Sequence, residues 1–215
     1  MLKSKSKNNV LKNYKILKLK LQLKLRFNTD FDIENLYFAF KICHMNSSLF
    51  YSLLKNKFPF VPTYKQDIFF QKIAIFLTDT HNDTIFVLKG YAGTGKTTVI
   101  STIVNNLLDI NKKYVLLAPT GRAAKVIANY SNKPAFTIHK KIYFPKKSSG
   151  GGVSFTLQQN KHKNTIFIID EASMISDTNS DSKLYENGSL LDDLISYVYS
   201  GTNCKMVLLG DTAQL

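Results

Sequence analysis

A short apolar segment followed by a glycine-rich loop constrains the fold of this chain more than any other feature. Residues 84–89 read TIFVLK, and residues 90–98 read GYAGTGKTT. Apolar residues then recur at the spacing of one helix face, at Val99, Ile100, Ile103, Val104, Leu107 and Leu108. The stretch therefore predicts a short apolar strand, a tight glycine turn and an amphipathic helix in immediate succession.

The glycine-rich loop fits the pattern G-x-x-x-x-G-K-[ST] and lies where that pattern has a mechanism, between a strand and a helix. Glycine backbone lets phosphates approach closely, and the N–H groups of the following helix terminus attract them. Lys96 adds a full positive charge at the β- and γ-phosphates, and Thr97 offers a hydroxyl to Mg²⁺. The alternative is a purely structural glycine turn. The predicted nucleotide-binding residues of the loop are Gly90, Gly93, Thr94, Gly95, Lys96, Thr97 and Thr98.

Strand-like and helix-like segments alternate along the rest of the chain. Further apolar runs stand at residues 114–118 (YVLLA), 165–169 (TIFII) and 205–209 (KMVLL). Residues 121–130 have a helical pattern, and a second helix is predicted to start at Ser189, with Asp192 completing a capping box, and to end at Gly201. Apolar strands that alternate with amphipathic helices predict an α/β fold, a doubly wound parallel sheet with helices on both faces.

Two segments interrupt this alternation. The region of about residues 143–164 contains PKKSSGGG and then VSFTLQQNKHKN, which predicts a hairpin or mobile loop inserted between core elements. Residues 177–188 are polar and rich in turn formers, and are predicted as a loop.

A pair of carboxylates follows the apolar run at 165–169. Asp170 stands at the carboxyl end of a predicted buried strand, where open α/β sheets place their ligands. A carboxylate there can hold the Mg²⁺ that bridges the β- and γ-phosphates, and Glu171 can orient an attacking water or accept its proton. This arrangement favours hydrolysis over phosphate transfer. The alternative is that both residues merely cap the next helix.

Five segments, taken in order, resemble the motifs of a known family. GYAGTGKTT, LLAPTGRAAKVI, FTIHK, IIDEASMI and LLGDTAQL are similar to motifs I, Ia, Ib, II and III of the RecD-like branch of superfamily 1 DNA helicases. The resemblance implies that residues 45–215 form an N-terminal RecA-like P-loop NTPase domain that binds ATP and Mg²⁺. It reaches back to about Phe58, because PTYKQ places Gln66 where these helicases have an adenine-reading glutamine; an exposed helix position is the alternative for Gln66.

The resemblance also implies residue roles. Lys96, Thr97, Asp170 and Glu171 become the catalytic and metal-binding set, and Gln214 senses the γ-phosphate from the end of a central motif III strand. Single-stranded DNA is expected along a track that Lys133, Lys140, Lys141, Lys146 and Lys147 could lengthen, although a solvated surface explains these lysines equally well. The residues implied in DNA binding are Thr120, Gly121, Arg122, Lys125, Thr137 and His139.

A superfamily 1 motor closes its ATP site with an arginine from a second RecA-like domain, and such a finger can raise the rate by about 10³–10⁵. The only arginines here are Arg26 and Arg122. We therefore expect a truncated or split helicase whose site is completed by a second chain or a missing C-terminal domain, and which alone is a poor ATPase. The alternatives are a non-catalytic ATP-dependent switch and, less favoured by the motifs, a small-molecule kinase.

Charge divides the chain unevenly. Half of the net charge of +14 lies in residues 1–44, a lysine-rich segment of low complexity. It is predicted as a disordered, solvated tail or a non-native extension with the true start at Met45, and the alternative is a basic arm for nucleic acid. Cys43 and Cys204 have no metal or redox spacing, and the apolar runs are too short to span a bilayer. No compact apolar region stands before a small-residue cleavage site, so a secretory signal is not expected. We expect a cytoplasmic chain without a membrane segment.

Overall fold

The computed structural model describes residues 45–81, 84–91, 93–147, 153–175 and 189–211. The predicted basic arm at 1–44, the predicted loop at 177–188 and Gln214 lie outside these ranges.

Six α-helices and seven strands make up the described part of the chain, together with two short 3-10 helices at Leu107–Ile110 and Ala172–Met174. The helices are α1 Ser47–Lys57, α2 Tyr64–Thr78, α3 Lys96–Asn106, α4 Gly121–Ser131, α5 Ile138–Ile142 and α6 Leu190–Tyr199. The strands are β1 Ile85–Lys89, β2 Lys113–Ala118, β3 Ala135–Thr137, β4 Tyr143–Lys147, β5 Val153–Leu157, β6 Thr165–Ile169 and β7 Lys205–Gly210.

Five of the strands form one parallel sheet in the order β1-β7-β6-β2-β3. Every neighbouring pair is parallel, with Phe86 opposite Val207 and Leu116 opposite Ile168 as examples of the register. Parallel neighbours require crossover connections, and helices supply most of them here. The predicted α/β class with a parallel sheet is thus confirmed, and the motif III strand β7 is a central strand, as predicted.

Successive side chains of a strand point to opposite sides, and the central strands β7 and β6 and most of β2 are buried on both faces, whereas the edge strand β1 is exposed at Ile85 and Val87. Phe167 and Met206 face α6 and pack in one apolar cluster with Leu194 and Val198. Ile168, from the opposite face, is equally buried. Strand β6 is buried at all five positions, which explains its unbroken apolar sequence.

The helix after the glycine-rich loop differs from its prediction at one end. Its α-helical hydrogen bonding stops at Asn106, and residues 107–110 continue as a 3-10 helix. Val99, Ile103 and Leu107 are buried, as predicted, but Leu108 is 62% exposed. The tighter 3-10 turn rotates Leu108 away from the core face, so its placement on that face was wrong. The start predicted for α6 is confirmed, because the Ser189 hydroxyl accepts a hydrogen bond from the Asp192 amide at 3.1 Å.

Strands β4 and β5 pair antiparallel as a two-stranded unit apart from the main sheet, within the segment where a hairpin or mobile loop was predicted. Its base is fixed to the domain at Tyr143, which is buried. The Tyr143 hydroxyl donates to the Asp193 carboxylate of α6 at 2.6 Å, and the Gln158 side-chain amide donates to the Tyr143 carbonyl at 2.7 Å. The first contact attaches the unit to the helix that precedes β7, and the second joins the two ends of the unit to each other.

A lysine is buried at the start of β7. Lys205 is completely inaccessible, and its ammonium donates to the carbonyls of Phe76 at 2.6 Å and Asp79 at 2.8 Å, at the C-terminal end of α2. The Phe76 ring lies 4.8 Å from the same nitrogen. Burial lowers the pKa of Lys205. A cation at a helix C-terminus meets unpaired carbonyls, so Lys205 ties α2 to the central strand.

Among the described residues, no helix combines the length and the apolar character needed to cross a membrane.

Tyr143→Phe is expected to lower the free energy of unfolding by about 1.5–3 kcal/mol, because it removes a buried hydrogen bond to a charged acceptor. Urea denaturation of both proteins measures the difference. Tyr130→Phe is the matched control, since the Tyr130 side chain is 68% exposed. Equal stabilities of the two variants would contradict this account of the hairpin base.

Candidate functional site

The loops that carry the predicted site residues meet at the carboxyl edge of the sheet. Strand β7 lies between β1 and β6, so the glycine-rich loop, the end of β7 and Asp170 follow three adjacent strands. The Gly90 amide donates to the Gly210 carbonyl at 3.2 Å, and the Asp170 amide to the Leu117 carbonyl at 2.9 Å. A Cβ atom on Gly210 would lie 3.8 Å from the Ser173 amide nitrogen. Chain segments that are far apart in sequence thus share one edge.

Two glycines in the loop have backbone angles that other residues rarely adopt. Gly93 has φ +76° and Gly95 has φ +81°, both in the left-handed region. Gly95 stands directly before α3, and its carbonyl accepts the first helical hydrogen bond from Val99 at 3.0 Å. The Thr94 hydroxyl donates to the Tyr91 carbonyl at 2.8 Å and closes the turn. The loop therefore leads its backbone into the positive end of a helix, which is a suitable place for phosphate.

Lys96 is the first residue of α3, and its side chain folds over the loop. Its ammonium donates to the carbonyls of Gly90 and Tyr91. Thr97 and Thr98 follow in the first helical turn and are half-buried. A phosphate group at this helix terminus would offer the Lys96 ammonium a stronger, charged acceptor than a carbonyl.

Asp170 and Glu171 follow β6 without a gap. Asp170 is half-buried, and its carboxylate accepts a hydrogen bond from the Glu171 amide at 3.0 Å. Burial raises the pKa of the Asp170 carboxyl, while that amide bond and the positive charge of Lys96 act in the opposite direction. Glu171 is exposed and has φ +51°, a strained backbone for a residue with a side chain. The chain therefore turns at Glu171, directly after Asp170.

A cavity of about 300 Å³ lies between α2 and the glycine-rich loop. Phe69, Leu88 and Val99 give it an apolar wall, and Gln66 and Tyr91 are among its other lining residues. Ligand pockets combine an apolar lining with a few polar groups, so this cavity suits a flat aromatic ring beside the phosphate loop.

Gln66 lies at the third position of α2, half-buried, next to the loop. Its side-chain oxygen accepts a hydrogen bond from the Thr63 amide at 3.0 Å, and its side-chain nitrogen donates to the Thr94 carbonyl at 3.2 Å. The role of Thr63 was missed in the sequence, although T-x-x-Q before an apolar run is the signature of a capping box.

The residues predicted to contact DNA follow β2 and β3, which are neighbours in the sheet with Ala118 opposite Thr137. Thr120 and Thr137 are both helix N-caps, accepting hydrogen bonds from the amides of Ala123 at 3.2 Å and Lys140 at 3.3 Å. Gly121, Arg122 and Lys125 in the first turns of α4 are exposed. The set thus lies on the same sheet edge as the glycine-rich loop, at the ends of the second and third strands beyond β7.

His139 differs from the rest of that set. It is half-buried, its ring centre lies 5.8 Å from that of Tyr143, and burial lowers its pKa. A neutral imidazole at neutral pH can hydrogen-bond to a phosphate or a base but adds no charge.

Within the described ranges, no cluster of three or more histidine, cysteine or acidic side chains could hold a metal ion. Mg²⁺ commonly keeps several waters and takes one or two protein ligands beside the substrate phosphates. The hydroxyl of Thr97 and the carboxylate of Asp170 fit a Mg²⁺ site that is completed by waters and substrate phosphates. They are too few for a site in which the protein supplies every ligand.

A parallel α/β sheet with a glycine-rich loop at a helix terminus and a carboxylate after a neighbouring strand defines the P-loop class of nucleotide-binding domains. The profile of a family described as AAA domain matches residues 71–215, and the chain belongs to that family. It is a P-loop domain of the RecD-like type found in superfamily 1 helicases.

Several relatives support that assignment. The chain is 30% identical over 219 residues to the RecBCD enzyme subunit RecD of Buchnera aphidicola subsp. Acyrthosiphon pisum, covering 92% of this chain and 33% of the relative. It is 31% identical over 166 residues to the subunit of the same name from Buchnera aphidicola subsp. Schizaphis graminum, covering 67% and 25%. Identity to the ATP-dependent RecD2 DNA helicase of Deinococcus radiodurans is 29% over 132 residues, covering 61% and 16%. The chain therefore spans a third or less of the length of these relatives.

Asp170→Asn is expected to stabilise the nucleotide-free protein at neutral pH. The folded-state pKa of Asp170 is raised, so this carboxyl favours the fold when protonated and opposes it when ionised. The variant and the wild type should be equally stable below the ordinary aspartate pKa of about 3.9. Above it, the advantage of the variant should grow until the folded-state pKa is passed. Urea unfolding at several pH values measures this, and an advantage that shrinks as the pH rises would contradict it.

Proposed function

We propose that this chain carries the ATP-binding motor domain of an ATP-dependent DNA helicase that acts on single-stranded and duplex DNA. The observation that carries the proposal is the order of the sheet. It brings the glycine-rich loop, the end of the motif III strand and the Asp170–Glu171 pair to three adjacent strand ends. The class of the domain and the names of its relatives support the same function.

Lys96, with the amide groups at the start of α3, binds the β- and γ-phosphates of ATP. Thr97 and Asp170 hold Mg²⁺, which when bound neutralises charge that develops on the phosphates. Glu171 orients the attacking water and accepts its proton. Gln66 lines the cavity for the base, and Gln214, beyond the described residues, senses the γ-phosphate.

Hydrolysis at an appreciable rate requires a cation from outside this domain. Arg26 and Arg122 are the only arginines in the sequence, and Arg122 lies two strands away from β7 on the proposed DNA track. The relatives are at least about three times as long as the matched region, which leaves room for a second motor domain in them. We propose that a second domain or chain completes the site, and that these 215 residues alone bind ATP but turn it over poorly.

A single-stranded DNA track runs along the ends of β2 and β3. Arg122 and Lys125 are exposed in the first turns of α4, and Thr137 caps α5 at the end of the neighbouring strand β3. The net charge of +14 favours binding of a polyanion in general.

A switch that binds nucleotide without turnover is the second candidate. The scarcity of arginine favours it, since a switch needs no group that stabilises the transition state. The two candidates differ in what a second domain would add. A motor domain hydrolyses ATP once a second domain is supplied, whereas a switch still does not hydrolyse it and only changes its affinity for DNA when nucleotide binds.

Lys96→Ala is expected to weaken binding of ATP·Mg²⁺ by about 10- to 100-fold, the range for removal of charge-assisted hydrogen bonds. Titration with a fluorescent ATP analogue measures this. Lys72→Ala, which removes an exposed lysine on α2, is the matched control and should bind like the wild type.

Steady-state ATP hydrolysis by the wild type should stay close to that of Lys96→Ala. Turnover that single-stranded DNA stimulates many-fold in a Lys96-dependent way would contradict the proposed need for a second domain.

The double variant Arg122→Ala/Lys125→Ala is expected to bind labelled oligothymidylate more weakly than the wild type. The slope of log affinity against log salt should become shallower by about 0.7 for each DNA phosphate that the variant no longer neutralises. Fluorescence anisotropy at several salt concentrations measures both quantities, again with Lys72→Ala as the control. If the double variant and the control gave the same slope, the DNA track would have to lie elsewhere.

A further inference from the structure

Both polar atoms of the Gln66 side chain are engaged by backbone groups. The oxygen accepts from the Thr63 amide at 3.0 Å, and the Thr63 hydroxyl accepts from the Gln66 amide at 3.4 Å, so the two residues form a reciprocal capping box. The Gln66 side-chain nitrogen is thereby directed at the Thr94 carbonyl, to which it donates at 3.2 Å. The capping box fixes the orientation of the amide, and the amide in turn reaches the glycine-rich loop.

Gln66 also packs tightly against the residue after Thr94. A Cβ atom on Gly95 would lie 3.0 Å from the Gln66 side-chain nitrogen, closer than real Cβ contacts normally come. A side chain at position 95 is therefore disfavoured for two reasons, the φ of +81° and the approach of Gln66. The amide lies against the two residues that immediately precede Lys96.

The helix that carries Gln66 is itself held in place. Phe69 and Phe76 of α2 pack on the Phe86 ring of β1 at centroid distances of 5.7 and 5.3 Å. Lys205 holds the carbonyls at the C-terminal end of α2. A hydrogen bond from such a fixed helix limits where the loop backbone can move.

We propose that Gln66 is a positioning residue for the phosphate loop, with Thr63 setting its orientation. This inference rests on the proposed function, since it assigns Gln66 to the phosphates of the same nucleotide. A glutamine that only reads the base affects adenine nucleotides alone. A glutamine that holds Thr94 and Gly95 affects every ligand of the loop, including one that has no base.

The test compares ATP, GTP and inorganic tripolyphosphate, each with Mg²⁺, as competitors of a fluorescent nucleotide on the 215-residue chain. Gln66→Ala should weaken all three by the same factor, roughly 3- to 10-fold for one neutral hydrogen bond. Thr63→Ala should weaken all three in the same direction by less. Gln71→Ala is the matched control, because the Gln71 amide lies on the same helix and donates to Asp67; it should change none of them.

Gln66→Glu separates the loop contact from the helix cap. Glutamate at this position keeps the capping-box acceptor but removes the donor to Thr94. Its melting temperature should match that of the wild type, while tripolyphosphate binding stays weak even in about 0.5 M salt, where the added charge is largely screened. Recovery of wild-type binding in this variant would overturn the proposal.

Hydrogen exchange on the nucleotide-free protein tests the same hydrogen bond without any ligand. Amides of residues 90–98 should exchange faster in Gln66→Ala than in Gln71→Ala. Equal exchange, or an effect confined to ATP with GTP and tripolyphosphate unchanged, would overturn the proposal and make Gln66 a base reader. If the wild type bound none of the three ligands, the proposed function would fail, and exchange would still decide whether Gln66 holds the loop.

Discussion

The whole site depends on the position of β7 beside β1 in the sheet, and the hydrogen bond from the Gly90 amide to the Gly210 carbonyl is the contact that joins the ends of these two strands. It exists because β7 inserts between β1 and β6, so that the first and last described strands of the chain become neighbours. The central strands are buried on both faces, so the polar side chains of a site have few places there other than the strand ends. The topology alone therefore brings together the glycine-rich loop, Asp170 and the end of the motif III strand β7.

Helix α2 contacts both the central strand β7 and the glycine-rich loop. At its C-terminal end a fully buried lysine from β7 satisfies the carbonyls of Phe76 and Asp79. At its N-terminal end Gln66 satisfies the carbonyl of Thr94. Helix α2 thus connects the amino end of β7 to the glycine-rich loop at the carboxyl edge of the sheet. In both connections a side chain donates hydrogen bonds to backbone carbonyls that have no partner within a helix. Glycine has no side chain that could restrict the backbone of the loop, so hydrogen bonds from residues outside the loop have to hold it in place.

The sequence was sufficient for everything that depends on local pattern. The alternation of strands and helices, the cap at Ser189 and the glycine-rich loop all follow from residues within one turn or one strand of each other. The hydrogen bonds of Lys205 with α2 and of Tyr143 with Asp193 join residues 50 or more positions apart, and no periodicity encodes such pairs. The prediction for Leu108 failed for a related reason, since the change from α to 3-10 geometry at Asn106 depends on the surrounding packing. The glycine-rich loop was recognisable from its own residues, but the hydrogen bond of Gln66 to Thr94 depends on the tertiary structure, because 28 positions separate the two residues.

The charges at the sheet edge indicate what the described site can do with a nucleotide. Lys96 supplies one positive charge, and the terminus of α3 is equivalent to roughly half an elementary charge more. Asp170 and Glu171 place two carboxyls beside them, and burial of Asp170 adds an energetic cost when it ionises. A triphosphate carries more negative charge than these groups offset, and its transition state for hydrolysis spreads that charge over the transferred oxygens. In the proposed site, Asp170 would hold Mg²⁺, which would balance part of the charge of the bound triphosphate. The transition state needs a further cation, and the described part of the domain has no arginine to spare at this edge, which supports the proposal that the domain binds ATP without rapid turnover.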